Sequence, residues 1–302
     1  MKKLINSCGA IDPWFITGFT DGEGCFSISI RKNKENKTGW RVELIFQIGL
    51  HSKDLAILEK IKSFFGPQVG SINTNRPQSI QFRVYSIKDL KVVINHFEKY
   101  PLITKKRSDY ELFKQAVELV NCKEHLTEEG LLKLVGIKGA MNWSLSSELK
   151  AAFPDIISVE RPKVEDALIS DPQWLAGFTS GEGCFMVTVR KSSTHRTGLR
   201  VELVFKLTQH LRDEKLMKSL IEYLDCGNVY SDKEAVIFKV AKLSDIADKI
   251  IPFFVKYPIK GVKAKDFADF CLVAELMKNK VHLTEEGLSK IRLIKAGMNS
   301  KR

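Results

Sequence analysis

The 302-residue chain has no run of 18 or more apolar residues, which argues against a membrane-spanning helix. Its first residues, Met1-Lys2-Lys3-Leu4-Ile5-Asn6, lack the apolar core of a secretion signal, so a secreted product is not expected. Cysteine is sparse and scattered. Cys8, Cys25, Cys122, Cys184, Cys226 and Cys271 form no CxxC pair, which argues against a zinc site or a disulfide framework and leaves them as reduced thiols. Acid is in deficit: 36 Asp and Glu stand against 48 Lys and Arg, a net charge of +12. That surplus points to a polyanion, with nucleic acid the simplest choice, although charge bears on association and not on fold. The material for folding is present. A hydrophobic fraction of 44% with 28% charged residues interspersed argues against disorder, and the length leaves room for two domains.

The chain repeats itself. Asp12-Pro13-Trp14-Phe15-Ile16-Thr17-Gly18-Phe19-Thr20-Asp21-Gly22-Glu23-Gly24-Cys25-Phe26 returns as residues 171–185, an offset of 159 from Glu23 to Glu182. Thr38 to Leu44 returns at the same offset as Thr197 to Leu203, whereas His125-Leu126-Thr127-Glu128-Glu129-Gly130-Leu131 returns as His282 to Leu288 at 157, two residues shorter. A period of this size marks a duplicated domain and not a solenoid. The expected division is 1–142, a linker over 143–170 with Pro154 and Pro162, and 171–302. Both halves are basic: 23 basic against 16 acidic residues give +7 for residues 1–150, and 25 against 20 give +5 for the rest.

Within each half, period and punctuation predict the elements. Asp12 or Asp171 suits a helix N-cap, Pro13 or Pro172 its first turn and Gly24 or Gly183 its end. Phe26, Ile28 and Ile30 then alternate with polar residues, as do Val42, Leu44, Phe46 and Ile48, which predicts a hairpin with one apolar face. Ser52 is expected to cap a helix ending near Phe65. A second hairpin places Ile80, Phe82 and Val84 inward, and helices follow from Ser86, near 105–121 and near 128–139. The second half repeats this order.

Gly18 and Gly22 lie one helical turn apart, as do Gly177 and Gly181, so each helix offers a flat strip that either serves local packing or lets the other copy approach closely. Glu23 and Glu182 close these helices, where the macrodipole disfavours a carboxylate by about 0.3 to 1 kcal/mol. Each alone is compatible with a solvated helix end. If the two helices packed together, the carboxylates would form a like-charge pair that a divalent cation relieves. Hard oxygen ligands suit Mg²⁺, and metal-held carboxylates beside a phosphodiester support in-line hydrolysis.

Residues 16–24 and 175–183 resemble the two copies of the LAGLIDADG motif of single-chain homing endonucleases, and the resemblance extends over residues 10 to 300. The motif's eighth position, often Asp, is Glu in both copies here. The resemblance implies an α+β fold: a tandem pseudo-twofold repeat of αββαββα halves, each with a four-stranded antiparallel, saddle-shaped sheet. It implies a monomer whose paired helices, through Gly18, Gly22, Gly177 and Gly181, form the interface between domains. Glu23 and Glu182, with backbone near Gly22 and Gly181, match the metal site, and Mg²⁺ is the expected ion, with Mn²⁺ substituting and Ca²⁺ binding without cleavage. Lys106 and Lys263, matched at the 157 offset, are the expected basic catalytic residues, with Gln47 and Lys206 near the centre. Cleavage across the minor groove would leave short 3′ overhangs. The family also implies mitochondria as the compartment.

The outward strand faces read as a DNA surface independently of the family. Ser27, Ser29, Arg31, Asn33, Arg41, Glu43, Gln47, Ser79, Gln81 and Arg83 in the first half are mostly hydrogen-bonding types. Thr188, Arg190, Ser192, Arg200, Glu202, Lys206, Thr208 and Lys239 match them in the second. A solvated polar face would look similar residue by residue. Differences such as Gln47 against Lys206 predict a non-palindromic double-stranded target, and strands of roughly 30 Å per half suggest about two DNA turns. The alternatives are an RNA-binding maturase acting on the host intron, or a DNA-binding protein that has lost catalysis. The retention of both acids and both lysines favours the enzyme.

Overall fold

The computed structural model describes residues 10–141, 144–165, 168–194 and 197–299. It divides into two compact units, residues 1–165 and 166–302. In the first, Asp12 Oδ1 accepts from Trp14 N at 2.8 Å and starts α1 (Pro13–Glu23). The hairpin β1 (Gly24–Lys32) and β2 (Trp40–His51) follows, then α2 (Leu55–Phe65), the hairpin β3 (Ser71–Arg76) and β4 (Ser79–Val84), and α3 (Ile87–Lys99), α4 (Lys106–Asn121) and α5 (Glu128–Ala140). The strands form one antiparallel sheet in the order β1-β2-β4-β3. The expected inward residues are buried except Val42, which is half-buried, and Phe26 packs on Phe46, Phe97, Tyr110 and Phe113 at centroid distances of 5.2 to 5.7 Å. Tilted and edge-on ring pairs of this kind add to the burial of the aromatic surface itself.

The second unit repeats the plan with α7 (Pro172–Glu182), β5 (Gly183–Lys191), β6 (Leu199–His210), α8 (Glu214–Leu224), β7 (Asn228–Asp232) and β8 (Ala235–Val240), in the strand order β5-β6-β8-β7. There Phe185 packs on Phe205, Phe254, Phe267 and Phe270. The rings around Phe26 and Phe185 match position for position, with Tyr110 replaced by Phe267.

The two-residue difference between the copies has three sources. The loop before β7, Asp225 to Cys226 to Gly227, is two residues shorter than Gly66 to Gly70. A register shift between Thr74 and Arg76 gives β3 a bulge that β7 lacks, which removes one more. One residue returns where α3 has its counterpart: α9 (Leu243–Asp245) runs into a π-turn over Ile246–Ile250 and on into α10 (Ile251–Lys256). A π-turn absorbs a single inserted residue within a helix, so Phe254 regains the place that Phe97 holds in the first unit. α11 (Lys263–Lys278) and α12 (Glu285–Ala296) then match α4 and α5.

Two local expectations are revised. Ser52 does not cap α2. β2 runs through His51, whose Nδ1 accepts from Lys53 N at 3.2 Å and caps a 3-10 turn over Ser52–Asp54, and His210 repeats this with Arg212 N at 3.1 Å. The stretch expected as a linker contains α6 (Ser147–Ala152), with Leu149 only 2% exposed, and runs on along the first unit. The expected boundary at 142/143 lies outside the described residues. Among those described, five cysteines are free thiols, and no helix is long and apolar enough to cross a membrane.

Candidate functional site

Each unit builds the same helix end. α1 and α7 are buried nearly all the way round, including Gly18 and Gly177, while Gly22 and Gly181 are half-buried. Gly24 and Gly183 each take an extended conformation and send their N–H back to Thr20 O and Thr179 O. A Cβ at Gly24 would sit 2.8 Å from Thr20 O, closer than real Cβ atoms come to a carbonyl oxygen. Glycine therefore lets helix pass into strand with no intervening loop, and Glu23 and Glu182 become the last helical residues at the very edge of the sheet. Both are half-buried.

A lysine neutralises each helix end. Lys106 Nζ donates to Thr20 O and Gly22 O, both at 2.9 Å, and Lys263 Nζ donates to Gly181 O. A cation among the last carbonyls opposes the negative pole of the helix, which offsets the unfavourable position of the glutamate. The first unit has a further clamp that the sequence did not announce. Asp21, 1% exposed, accepts from Ile103 N at 3.1 Å, Thr104 N at 3.3 Å and Thr104 Oγ1 at 2.5 Å, and Thr104 Oγ1 accepts from Lys106 N at 3.2 Å. In the second unit Ser180 donates to Ala176 O at 2.7 Å and accepts from Lys260 N at 3.1 Å. The same loop is held by a neutral hydroxyl in place of a carboxylate.

The sheet register arranges the other expected residues in rows across the outward face. Cys25, Gln47, Arg83 and Ser71 form the row beside Glu23, and Cys184, Lys206, Lys239 and Asn228 its copy. Lys206 lies directly opposite Lys239, a like-charge pair that disfavours the sheet unless an anion sits over it. Burial raises the Cys184 thiol's pKa while Lys206 and Lys263 pull it down, so all three share one neighbourhood. Farther along come Ser29 opposite Glu43 and Arg31 opposite Arg41, with Thr188 opposite Glu202 and Arg190 opposite Arg200 in the second unit. Ser27 faces Ile45, Gln81 sits between Gly49 and Asn73, Ser79 faces His51, and Thr208 lines up with Ile237 and Tyr230.

The residues are thus not one cluster but a strip, since Cys25 and Arg31 are about 20 Å apart along the strand. Arg41 and Glu43 pair with each other at 2.8 Å, as do Arg200 and Glu202 at 2.9 Å. Asn33 and Ser192 lie in the hairpin turns. Asn33 Oδ1 accepts from Glu35 N at 2.9 Å, and the Ser192 hydroxyl lies 3.0 Å from that of Thr194. Sequence reasoning missed the outward residues of β3 and β7: Ser71 and Asn73, and Asn228 and the 53% exposed Tyr230. The signal was the polar alternation in Ser71-Ile72-Asn73 just after Gly70.

A duplicated α+β unit with an acid at each helix end and a polar sheet face defines the class. The sequence profile of the LAGLIDADG endonuclease family matches residues 16–117 and again 175–274, and the chain belongs to that family. It is 43% identical over 293 residues to the probable intron-encoded endonuclease 3 of Neurospora crassa, which covers 96% of this chain. It is 42% identical over 295 residues to the probable intron-encoded endonuclease 2 of that organism, covering 93%. The chain spans 55% and 64% of the length of these two curated relatives. Among solved structures, the homing endonuclease I-SmaMI bound to cleaved DNA matches with a TM-score of 0.96 at 46% identity, covering 98% of this chain and 100% of the other. The same protein bound to an uncleaved DNA target with calcium ions matches at 0.93 and 47%, covering 95% and 99%.

Proposed function

We propose that this chain is a site-specific endonuclease that binds a long, non-palindromic double-stranded DNA and hydrolyses both strands with a divalent metal. The observation that carries this reading is the helix end built twice, with a carboxylate, a backbone carbonyl and a lysine ammonium at the margin of a polar sheet. A solvated helix-end glutamate needs no such arrangement, and two of them need it still less. The similarity to a DNA-bound homing endonuclease supports the same reading.

The donor set fits a hard cation. Glu23 and Glu182 offer carboxylate oxygens, and Gly22 and Gly181 offer carbonyl oxygens, the ligand types that Mg²⁺, Mn²⁺ and Ca²⁺ prefer. Among the described residues no group of three or more His, Cys, Asp or Glu gathers around a common point. The protein therefore supplies few ligands, and water and substrate phosphate supply the others, as is usual for Mg²⁺. When bound, such an ion stabilises charge on the attacking and leaving oxygens. Mg²⁺ and Mn²⁺ are proposed to support cleavage and Ca²⁺ binding alone.

The chain's own residues do the remaining work. Lys106 and Lys263 place positive charge beside the acids, where a phosphodiester gains negative charge as it is attacked. Gln47 and Lys206 flank this position, one strand over. The lysine pair Lys206 and Lys239 is relieved by a phosphate over it, while Arg31, Arg41, Gln81, Arg83, Arg190 and Arg200 meet base edges or phosphates farther out. The intron-encoded relatives favour a mobile intron as the gene's home, and the mitochondrion is the proposed compartment.

Selection of cleaved molecules from a randomised duplex library, with and without Mg²⁺, tests this directly. The expected result is a single asymmetric consensus of about two turns, recovered only with metal, with short 3′ overhangs. Undiminished cutting in EDTA, or no cleaved consensus, would sink the proposal.

A further inference from the structure

In the first unit the segment after α5 covers one end of the sheet and helix layer. Phe153 packs on Trp40 at 5.2 Å, Glu148 pairs with Lys32 at 3.7 Å, and Leu149 is 2% exposed. The chain then runs along α5, where Val159 N donates to Gly136 O at 3.2 Å and Arg161 Nη1 donates to Ala140 O at 2.9 Å. Beneath it Ile30 is 6% exposed and Ile137 4%.

The second unit has the same floor but no described segment of its own over it. A groove of about 460 Å³ opens there between the end of the β5/β6 hairpin and α12, floored by Val187, Val189, Leu199 and Met298 and edged by Lys191 and Lys295. Several of these stand where the first unit is covered: Val189 for Ile30, Lys191 for Lys32 and Leu199 for Trp40, all at the 159 offset. The burial differs accordingly. Val189 and Ile294 are only half-buried, and Leu293, at the position of Gly136, is 78% exposed.

We propose that this groove docks a helical segment of a protein partner, one that carries an acidic side chain next to a leucine and an aromatic residue four positions after the leucine. Glu148-Leu149-Lys150-Ala151-Ala152-Phe153 shows the pattern in the first unit, where the acid meets Lys32 and the aromatic ring meets Trp40. In the second unit Lys191 and Leu199 stand ready for the same two groups. Arg292, which replaces Val135, adds positive charge at the rim, where Lys295 keeps the charge of Lys138, so the partner's segment is more acidic than the internal one. A nucleic acid is the poorer occupant, because an apolar floor offers a phosphate or sugar no hydrogen bond. An amphipathic helix in an apolar groove buries that floor and keeps its charges at the edge. The docking is independent of DNA cleavage.

The test uses the full chain and a labelled, capped peptide of residues 144–153, followed by fluorescence anisotropy. Saturable one-to-one binding is expected, weakened by about tenfold or more by Leu199→Asp and by Lys295→Glu, or by Phe153→Ala in the peptide. Leu293→Asp changes an exposed side chain outside the groove lining, so it keeps the fold and should leave binding unchanged. DNA cleavage by these variants should stay unchanged, so loss of the endonuclease reading would not touch this one. Absence of saturable binding, binding indifferent to Leu199→Asp, Lys295→Glu and Phe153→Ala alike, or displacement of the peptide by heparin as a polyanion would each overturn the proposal.

Discussion

The two units share a fold, an aromatic core and a helix end, yet they differ where those features are supported. The first unit holds the loop before its lysine with a buried carboxylate and the second with a serine. The buried His96 of the first unit is matched by a half-buried Phe253 in the second, and one helix is continuous where its counterpart carries a π-turn. What both copies keep is the placement of the glutamate, the lysine and the inward-facing aromatics. Duplication fixes the geometry needed twice and leaves its supports free to diverge, so the differences separate function from scaffolding.

The largest effect should fall on what the copies share. Glu23→Gln and Glu182→Gln should each lower double-strand cleavage by about a hundredfold or more, because the carboxylate proposed to bind metal is lost while its shape is kept. DNA binding in Ca²⁺ should persist. A gel assay that separates nicked from linear product would show whether the two acids are equivalent, and normal linearisation by either variant would remove that residue from the site.

A smaller effect, on stability, separates the helices that differ. Asn95 lies within the continuous α3, and its structural counterpart is Pro252, just after the π-turn. Asn95→Pro should cost about 3 kcal/mol, since a ring in a regular helix removes a hydrogen bond and collides with the preceding turn. Pro252→Ala should stay within about 0.5 kcal/mol, because the wider turn already accommodates the proline. Urea unfolding of the two variants measures the contrast, and equal costs would mean that the π-turn does not relieve the ring.

Much of this was legible in the sequence because it is local. Asp12, Pro13 and Gly24 mark a helix through caps and turns within a dozen residues, and alternation marks β1, β2 and β4. The repeat itself located Glu182 and Lys263 from Glu23 and Lys106. What escaped depends on contacts distant in sequence. Asp21 meets Thr104 across 83 residues, and a lone aspartate in a helix carries no sign of it. The stretch from Ser147 onward is rich in proline and charge, which reads as a connection, and only Leu149 and Phe153 hint that it packs. The π-turn hides because one inserted residue leaves helical periodicity nearly intact. The outward residues of β3 were missed because the strand is exposed and mostly polar, so they do not stand out against an apolar face.

Acid should then set the units apart. His96 is enclosed by Phe64, Phe65, Phe97 and Tyr100, with Thr17 Oγ1 3.2 Å from its Nε2, and burial lowers its pKa to about 3. Below pH 6.5 the unfolded chain takes up a proton that the folded one refuses, so stability falls with pH from 6.5 down to about 3. The loss between pH 6.5 and 5 should be about 2 kcal/mol. His96→Phe, which copies the second unit, should flatten that slope in urea titrations at the two pH values. An unchanged slope would show that the ring is protonated in the fold.

The finest contrast concerns the two clamps. Asp21→Ala strands three donors, the amides of Ile103 and Thr104 and the Thr104 hydroxyl, in a buried place, whereas Ser180→Ala strands one amide, that of Lys260. The first should therefore cost more stability than the second by about 1 to 2 kcal/mol. Its consequence for the lysine should differ as well. Thr104 accepts from Lys106 N, so loosening the first clamp frees the start of α4 and with it the ammonium beside Glu23. Lys263 takes no such hold from Ser180. Asp21→Ala should slow one strand's cleavage and let nicked DNA accumulate, while Ser180→Ala should leave both strands near their original rates. Equal slowing of both strands by Asp21→Ala would mean that the clamp supports the fold as a whole and not the lysine of its own unit.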